Sequence, residues 1–108
     1  MIMSTSSSIA GYRVVKTLGL VMGNTIRARH VGKDILAVFK NIVGGEIEEY
    51  TKMLAEAREQ AVNRMMASAK EKGGNAIIHV DFSTSYMMSS ASEIMAYGTA
   101  VIIEKDEA

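Results

Sequence analysis

The stretch from Glu46 to Tyr86, EIEEYTKMLAEAREQAVNRMMASAKEKGGNAIIHVDFSTSY, decides the fold, because its hydrophobic period changes once, at a double glycine. Before Gly73, the residues Tyr50, Leu54, Ala57, Ala61, Met65 and Ser68 recur at steps of three and four, flanked by Ile47, Met53, Val62, Met66 and Ala69. This spacing predicts one long amphipathic helix from Glu46 or Ile47 to Lys72. Glu46, Glu48 and Glu49 at its start and Lys70 and Lys72 at its end suit the helix dipole, and Glu48 with Lys52 adds an i,i+4 pair. Gly73-Gly74 stops it. Beyond, the period falls to two: Ala76, Ile78, Val80, Phe82, Thr84 and Tyr86 are expected inward, and Ile77, His79, Asp81, Ser83 and Ser85 outward, as in a half-buried strand.

Upstream, Tyr12 to Met22 alternates with apolar residues in both rows, which predicts a strand covered on much of both faces. Gly23-Asn24 carries the signal of a two-residue hairpin turn, with Thr25 to His30 returning. Asp34 caps a short helix over Ile35–Val43, ended by Gly44-Gly45 and apolar nearly all round. Such a helix is buried on more than one side, either against a neighbouring subunit or between the sheet and the long helix. Downstream, Met87 to Glu93 reads as a serine-rich loop and Ile94 to Glu104 as a last strand. The expected architecture is α+β, β-β-α-α-β-β, with both helices on an antiparallel sheet. Residues 1–9 read as a flexible segment, 10–104 as one domain and 105–108 as a tail.

The chain has 108 residues, 12 basic and 12 acidic, with no Cys, no Pro and nine Met. Zero net charge argues against a general nucleic-acid binder. Without cysteine there is no thiol nucleophile, thiolate zinc site, iron–sulfur cluster or disulfide, and the expected setting is cytoplasmic. No apolar run reaches the roughly 20 residues that span a bilayer, so no membrane partner is expected. The charge is unevenly distributed. Through Gly45 there are six basic residues against one acid, Asp34, a net +5, and the remainder is −5. A dipolar chain of this kind suits head-to-tail packing of copies.

His79 and Asp81, with Ser83 and Ser85 beyond, invite a catalytic triad. Alternate strand residues stand about 6.6 Å apart, however, too far for the chain of hydrogen bonds a triad needs. As metal ligands His79 and Asp81 are chemically suited to a divalent ion, but a site wants more donors than two, which symmetry-related copies would have to supply. The methionines fall on the apolar side of the long helix or along strands without clustering, which favours gap-filling over soft-metal ligation. Arg27, Arg29 and His30 have no interleaved aromatic for base stacking, so no nucleic acid is expected. Neither GxGxxG nor GxxxxGK[ST] occurs.

Several segments together resemble the YbjQ family of small bacterial and archaeal proteins, often labelled heavy-metal-binding. They are Gly11-Tyr12 through Leu18-Gly19-Leu20-Val21 with Gly23, Asp34, Ile42-Val43-Gly44-Gly45 with Tyr50, Ala57-Arg58-Glu59 with Ala61, Gly73-Gly74-Asn75-Ala76, and Ala96-Tyr97-Gly98-Thr99-Ala100-Val101. The resemblance implies a dodecin-like subunit in a ring-shaped homo-oligomer, typically a pentamer, sometimes with two rings stacked. His79 stands where a small residue such as glycine is common in the family, and Glu46 where a basic residue follows the double glycine. No catalytic residues carry over. The expectation is a non-enzymatic, cytoplasmic homopentamer binding a small ligand or ion. The alternatives are a metal-binding module using His79 and Asp81 from several subunits, or an enzyme of unassigned reaction.

Overall fold

The computed structural model describes residues 1–28, 47–88 and 91–107. In chain order they form β1 (Ile2–Met3), β2 (Tyr12–Ala28), α1 (Ile47–Glu71), β3 (Ala76–Met88) and β4 (Ala91–Lys105). The strands make one sheet in the order β1-β3-β4-β2; β1 runs parallel to β3 and the other pairs are antiparallel. The fold is therefore α+β as expected, but the sheet is mixed and the order β-β-α-α-β-β is not matched. The expected short helix over Ile35–Val43 lies outside the described residues.

The long helix follows its predicted stripe. Ala57, Ala61, Met65 and Ala69 are fully buried against Val21, Ile77, Val80, Ile94, Ala96 and Ala100, with Leu54, Val62 and Met66 packed alongside. Three alanines on this stripe bring the helix axis close to β2 and β4, the strands it crosses. The double glycine ends it by a Schellman motif: Gly73 takes φ +84°, its N–H donates to the Lys70 carbonyl at 2.9 Å, and the Gly74 N–H donates to the Ala69 carbonyl at 2.9 Å. Asn75 then ties the turn to β4. Its amide donates to the Ile103 carbonyl at 2.9 Å and its carbonyl oxygen accepts from the Ile103 N–H at 2.7 Å.

The expected hairpin at Gly23-Asn24 is not formed. β2 runs unbroken through both residues, pairing Gly23 with Ala96 and Asn24 with Met95. Gly23 meets a packing demand rather than a turn. A Cβ built there would overlap the Ala61 carbonyl and the Met65 amide nitrogen and come within 2.9 Å of the Arg64 Cβ, so only glycine lets α1 lie this close. The Arg64 guanidinium donates to the Asn24 carbonyl at the same crossing. The returning strand Thr25–His30 becomes the continuation of β2 as far as Ala28.

Two further expectations change. Ile2–Met3 of the segment read as flexible pair with Ala76 and Ile77 as an edge strand. The Ser4 N–H also donates to the Ile77 carbonyl at 2.9 Å. The loop read over Met87–Glu93 is shorter, since β3 extends to Met88 and β4 begins at Ala91.

Register sorts the two faces of the sheet, because directly opposed residues share a face. Val21, Gly23 and Thr25 of β2 lie with Gly98, Ala96 and Ile94 of β4 under the helix. Leu20, Met22, Asn24 and Ile26 lie with Thr99, Tyr97, Met95 and Glu93 on the reverse face. At one end that face carries a small second core of Ala76, Ile78, Val101 and Ile103, covered by Ile9 and Tyr12. Further along it is open, and Leu20 and Ile26 are 59% and 58% exposed.

Candidate functional site

The chemistry-bearing residues of β3 sit at a break in its register. Ile78 pairs with Thr99 and Asp81 with Tyr97, so His79 and Val80 together oppose Gly98. This is a β-bulge whose first residue, His79, adopts φ +53°, the left-handed conformation that such bulges ordinarily give to glycine. Gly98 permits the bulge: a Cβ there would stand 2.7 Å from Ile77 Cγ2 and 2.9 Å from the Ile78 carbonyl oxygen. The N-terminal serine segment, Ser4–Ser8, buttresses it from the other side. The His79 N–H donates to the Ser6 carbonyl at 3.1 Å and the Val80 N–H to the Ser4 carbonyl at 3.0 Å, while the Ser4 and Ser6 hydroxyls are 2.6 Å apart.

The bulge corrects the sequence picture of this strand. Strict alternation put His79 and Asp81 side by side on one outward face; the extra residue breaks that alternation between them. Across it the phase changes: Ile77 before the bulge, expected outward, and Val80 after it, expected inward, both lie in the core under the helix. Phe82 pairs with Ala96 on that same face but is 45% exposed. His79 is exposed. No period-two pattern reveals the bulge, but the departure of His79 from the small residue common in the resembled family pointed to its position. Histidine pays about 1–2 kcal/mol to sit in the left-handed region, and glycine loses part of that gain to its unfolded-state entropy. His79→Gly is therefore expected to raise stability by about 0.5–1 kcal/mol in urea unfolding, with His79→Ala giving no gain.

Asp81 is already engaged. Its Oδ1 accepts the Phe82 N–H at 2.8 Å and its Oδ2 accepts the Tyr97 hydroxyl at 3.3 Å, and no hydrogen bond joins it to His79 among the described residues. The Asp81 charge, reinforced by desolvation and by this hydrogen bond, holds the Tyr97 phenol above its ordinary value. Ultraviolet titration, with Tyr97→Phe as the difference blank, should place Tyr97 deprotonation above the usual value of about 10. Asp81→Asn should bring it back down. Across the same face, the Asn24 amide donates to Glu93 Oε2 at 3.2 Å.

Whether these groups fit a heavy metal is answered by the donor set. Among the described residues no three His, Asp or Glu side chains converge, and the chain has no Cys. His30 lies outside the described residues. One copy of the described residues thus does not make a heavy-metal site, which needs about four donors. An open cleft at the other end is lined by Arg13, Glu104, Lys105, Asp106 and Glu107. The Arg13–Glu104 pair, 3.3 Å apart, is largely exposed and its charges are solvated. No helix among the described residues is long and apolar enough to cross a membrane.

Comparison with known proteins matches this arrangement as a whole. A family model named YbjQ and described as "Putative heavy-metal-binding" matches residues 1–104. A UPF0145 protein of Dehalococcoides mccartyi is 65% identical over 104 residues, covering 96% of this chain and all of the relative. One from Thermococcus kodakarensis is 52% identical over 103 residues, covering 95% of this chain and 91% of the relative. Among solved structures, a DUF74-family protein of unknown function from Pediococcus pentosaceus superposes with a TM-score of 0.66 at 18% identity, covering 96% of this chain and 98% of that one. That likeness is one of fold. With the double-glycine helix stop, the Gly98 bulge partner and the matched length all in place, the chain belongs to the YbjQ family, the UPF0145 proteins.

Proposed function

We propose that this chain is a non-enzymatic, cytoplasmic subunit of a homo-oligomeric ring, a pentamer, that holds a small ligand or ion between its copies. The observation that carries the proposal is the open reverse face, where Leu20, Met22 and Ile26 are 59%, 44% and 58% exposed in one row along β2. An exposed apolar row of this kind, interrupted by Asn24, marks an interaction surface on a small domain. The opposed charges of the two halves support self-association as well, although part of that complementarity is used within the chain, between Arg13 and Glu104. The face also presents Asp81, Tyr97, Asn24 and Glu93, polar groups able to orient a ligand.

Native mass spectrometry at micromolar concentration is expected to give one closed stoichiometry, and sedimentation to agree with it. A monomer in both would overturn the proposal. Elemental analysis of the untagged oligomer addresses the metal alternative, in which His79 and Asp81 of several copies share an ion. Stoichiometric metal that is lost in His79→Ala would favour that alternative; metal unaffected by it would remove these two residues.

A further inference from the structure

On the open part of the reverse face, the rungs Met22–Tyr97–Asp81, Asn24–Met95–Ser83 and Ile26–Glu93–Ser85 cross the sheet from β2 to β3. The formal charges on these rungs are Asp81 and Glu93, both negative, and no Lys or Arg stands among them. The basic residues of β2 belong to the helix side: Arg13, Lys16 and Arg27 pair with Glu104, Ile102 and Ser92, which alternate with the reverse-face positions of β4. Among the described residues neither Asp81 nor Glu93 has an ionic partner. Both are nevertheless held in place by neutral donors. Asp81 accepts the Phe82 N–H and the Tyr97 hydroxyl, and Glu93 accepts the Asn24 amide. Such bonds orient a carboxylate without cancelling its charge.

The two carboxylates stand two rungs apart and on neighbouring strands, about 13 Å along the sheet and about 5 Å across it. One metal ion, with ligand distances of about 2 Å, does not reach both. Between them lies Met95, half-buried, with the exposed Met22 and Ile26 on its β2 side and Ser83 on its β3 side. A hydrated inorganic ion gains nothing from such a floor. A chain of methylenes gains in proportion to the apolar area it covers. An anionic ligand would meet only like charge there.

We propose that this face binds a linear aliphatic polyamine, laid along β4 with one terminal ammonium at Asp81, the other at Glu93 and its methylenes over Met95. A chain of about eight methylenes matches the gap once each ammonium sits about 3 Å inward of its carboxylate. An inner secondary ammonium, in a chain that has one, falls level with the Ser83 hydroxyl, which accepts its proton in a hydrogen bond. The inference rests on the reading of this face as a ligand surface and names the class of ligand.

Calorimetric titration of the full chain at low salt, with spermidine and with 1,8-diaminooctane, is expected to show saturable binding that weakens as salt is added. The diamine should bind about fivefold more tightly than octylamine, which reaches one carboxylate at a time. Suberate, a dicarboxylate of matching length, should not bind. This ligand series uses the unaltered chain, so no folding defect enters it. Asp81→Asn and Glu93→Gln, which keep the side-chain shapes, should each bring the diamine down to the octylamine level. Glu104→Gln, a carboxylate at the far end of the sheet, should leave it unchanged. Equal affinity for octylamine and diamine, binding of suberate, or an equal loss in Glu104→Gln overturns the proposal. Native mass spectrometry of the same samples separates it from the assembly reading. A closed oligomer that takes up no diamine overturns the ligand and leaves the assembly standing; a monomer that binds in the expected order defeats the assembly and leaves the ligand.

Discussion

Replacing Gly23 by alanine is expected to destabilise the fold by about 3 kcal/mol, the upper end of what one added methyl costs in a packed interior. The size follows from what the methyl meets. Its obstacles are the Ala61 carbonyl and the Met65 amide nitrogen, backbone atoms of a hydrogen-bonded helix, together with the Arg64 Cβ. A flexible side chain could swing aside, but a helix backbone moves only by lifting α1 off β2, which would uncover Val21 and Ala96 as well. The asparagine variant separates this account from the hairpin expected on sequence grounds. In a tight turn Gly23→Asn would be tolerated, since asparagine accepts positive φ. At a helix crossing it should be worse than alanine. Urea unfolding followed by circular dichroism measures both, and a loss below about 1 kcal/mol for Gly23→Ala would show that the helix does not lie as close as described.

Gly23 also shows where sequence legibility ends. Periodicity reports which side of an element is apolar, and that was enough to place α1 almost residue by residue, with Ala57, Ala61, Met65 and Ala69 on the buried stripe. It was enough too for the Gly73-Gly74 stop, because a helix terminus is a local event with a local signature. A glycine required by a distant backbone leaves no local trace different from a glycine required by a turn. Gly23-Asn24 satisfied the local rule and was shaped by residues forty positions away. His79 is the converse case. The bulge it opens depends on Gly98 across the sheet, so the period-two pattern ran through it undisturbed and put Ile77 and Val80, which share the core under the helix, on opposite faces. The candidate ligands were legible as residue types. Their geometry was not, because the bulge sets it and because Asp81 is held by Tyr97 sixteen residues on.

Met65→Ala should cost about 3–4 kcal/mol, and this variant bears on chemistry as well as on packing. Met65 is fully buried and among the largest side chains at the helix–sheet contact, surrounded by alanines at positions 57, 61 and 69 that cannot expand to refill its space. The cavity would open directly beside Gly23, where α1 already lies as near to β2 as the backbone allows, so collapse of the helix onto the sheet is blocked. Met65→Leu, which nearly conserves volume, should cost less than about 1.5 kcal/mol. Met22 makes the contrast. It is 44% exposed on the reverse face, and Met22→Ala should leave the stability of the isolated subunit within about 0.5 kcal/mol while weakening assembly in native mass spectrometry. A soft metal ion bound through thioethers would need the exposed methionine, not the buried one. If Met65→Ala proved neutral, the helix–sheet core would be misplaced, and the stripe that organises the fold with it.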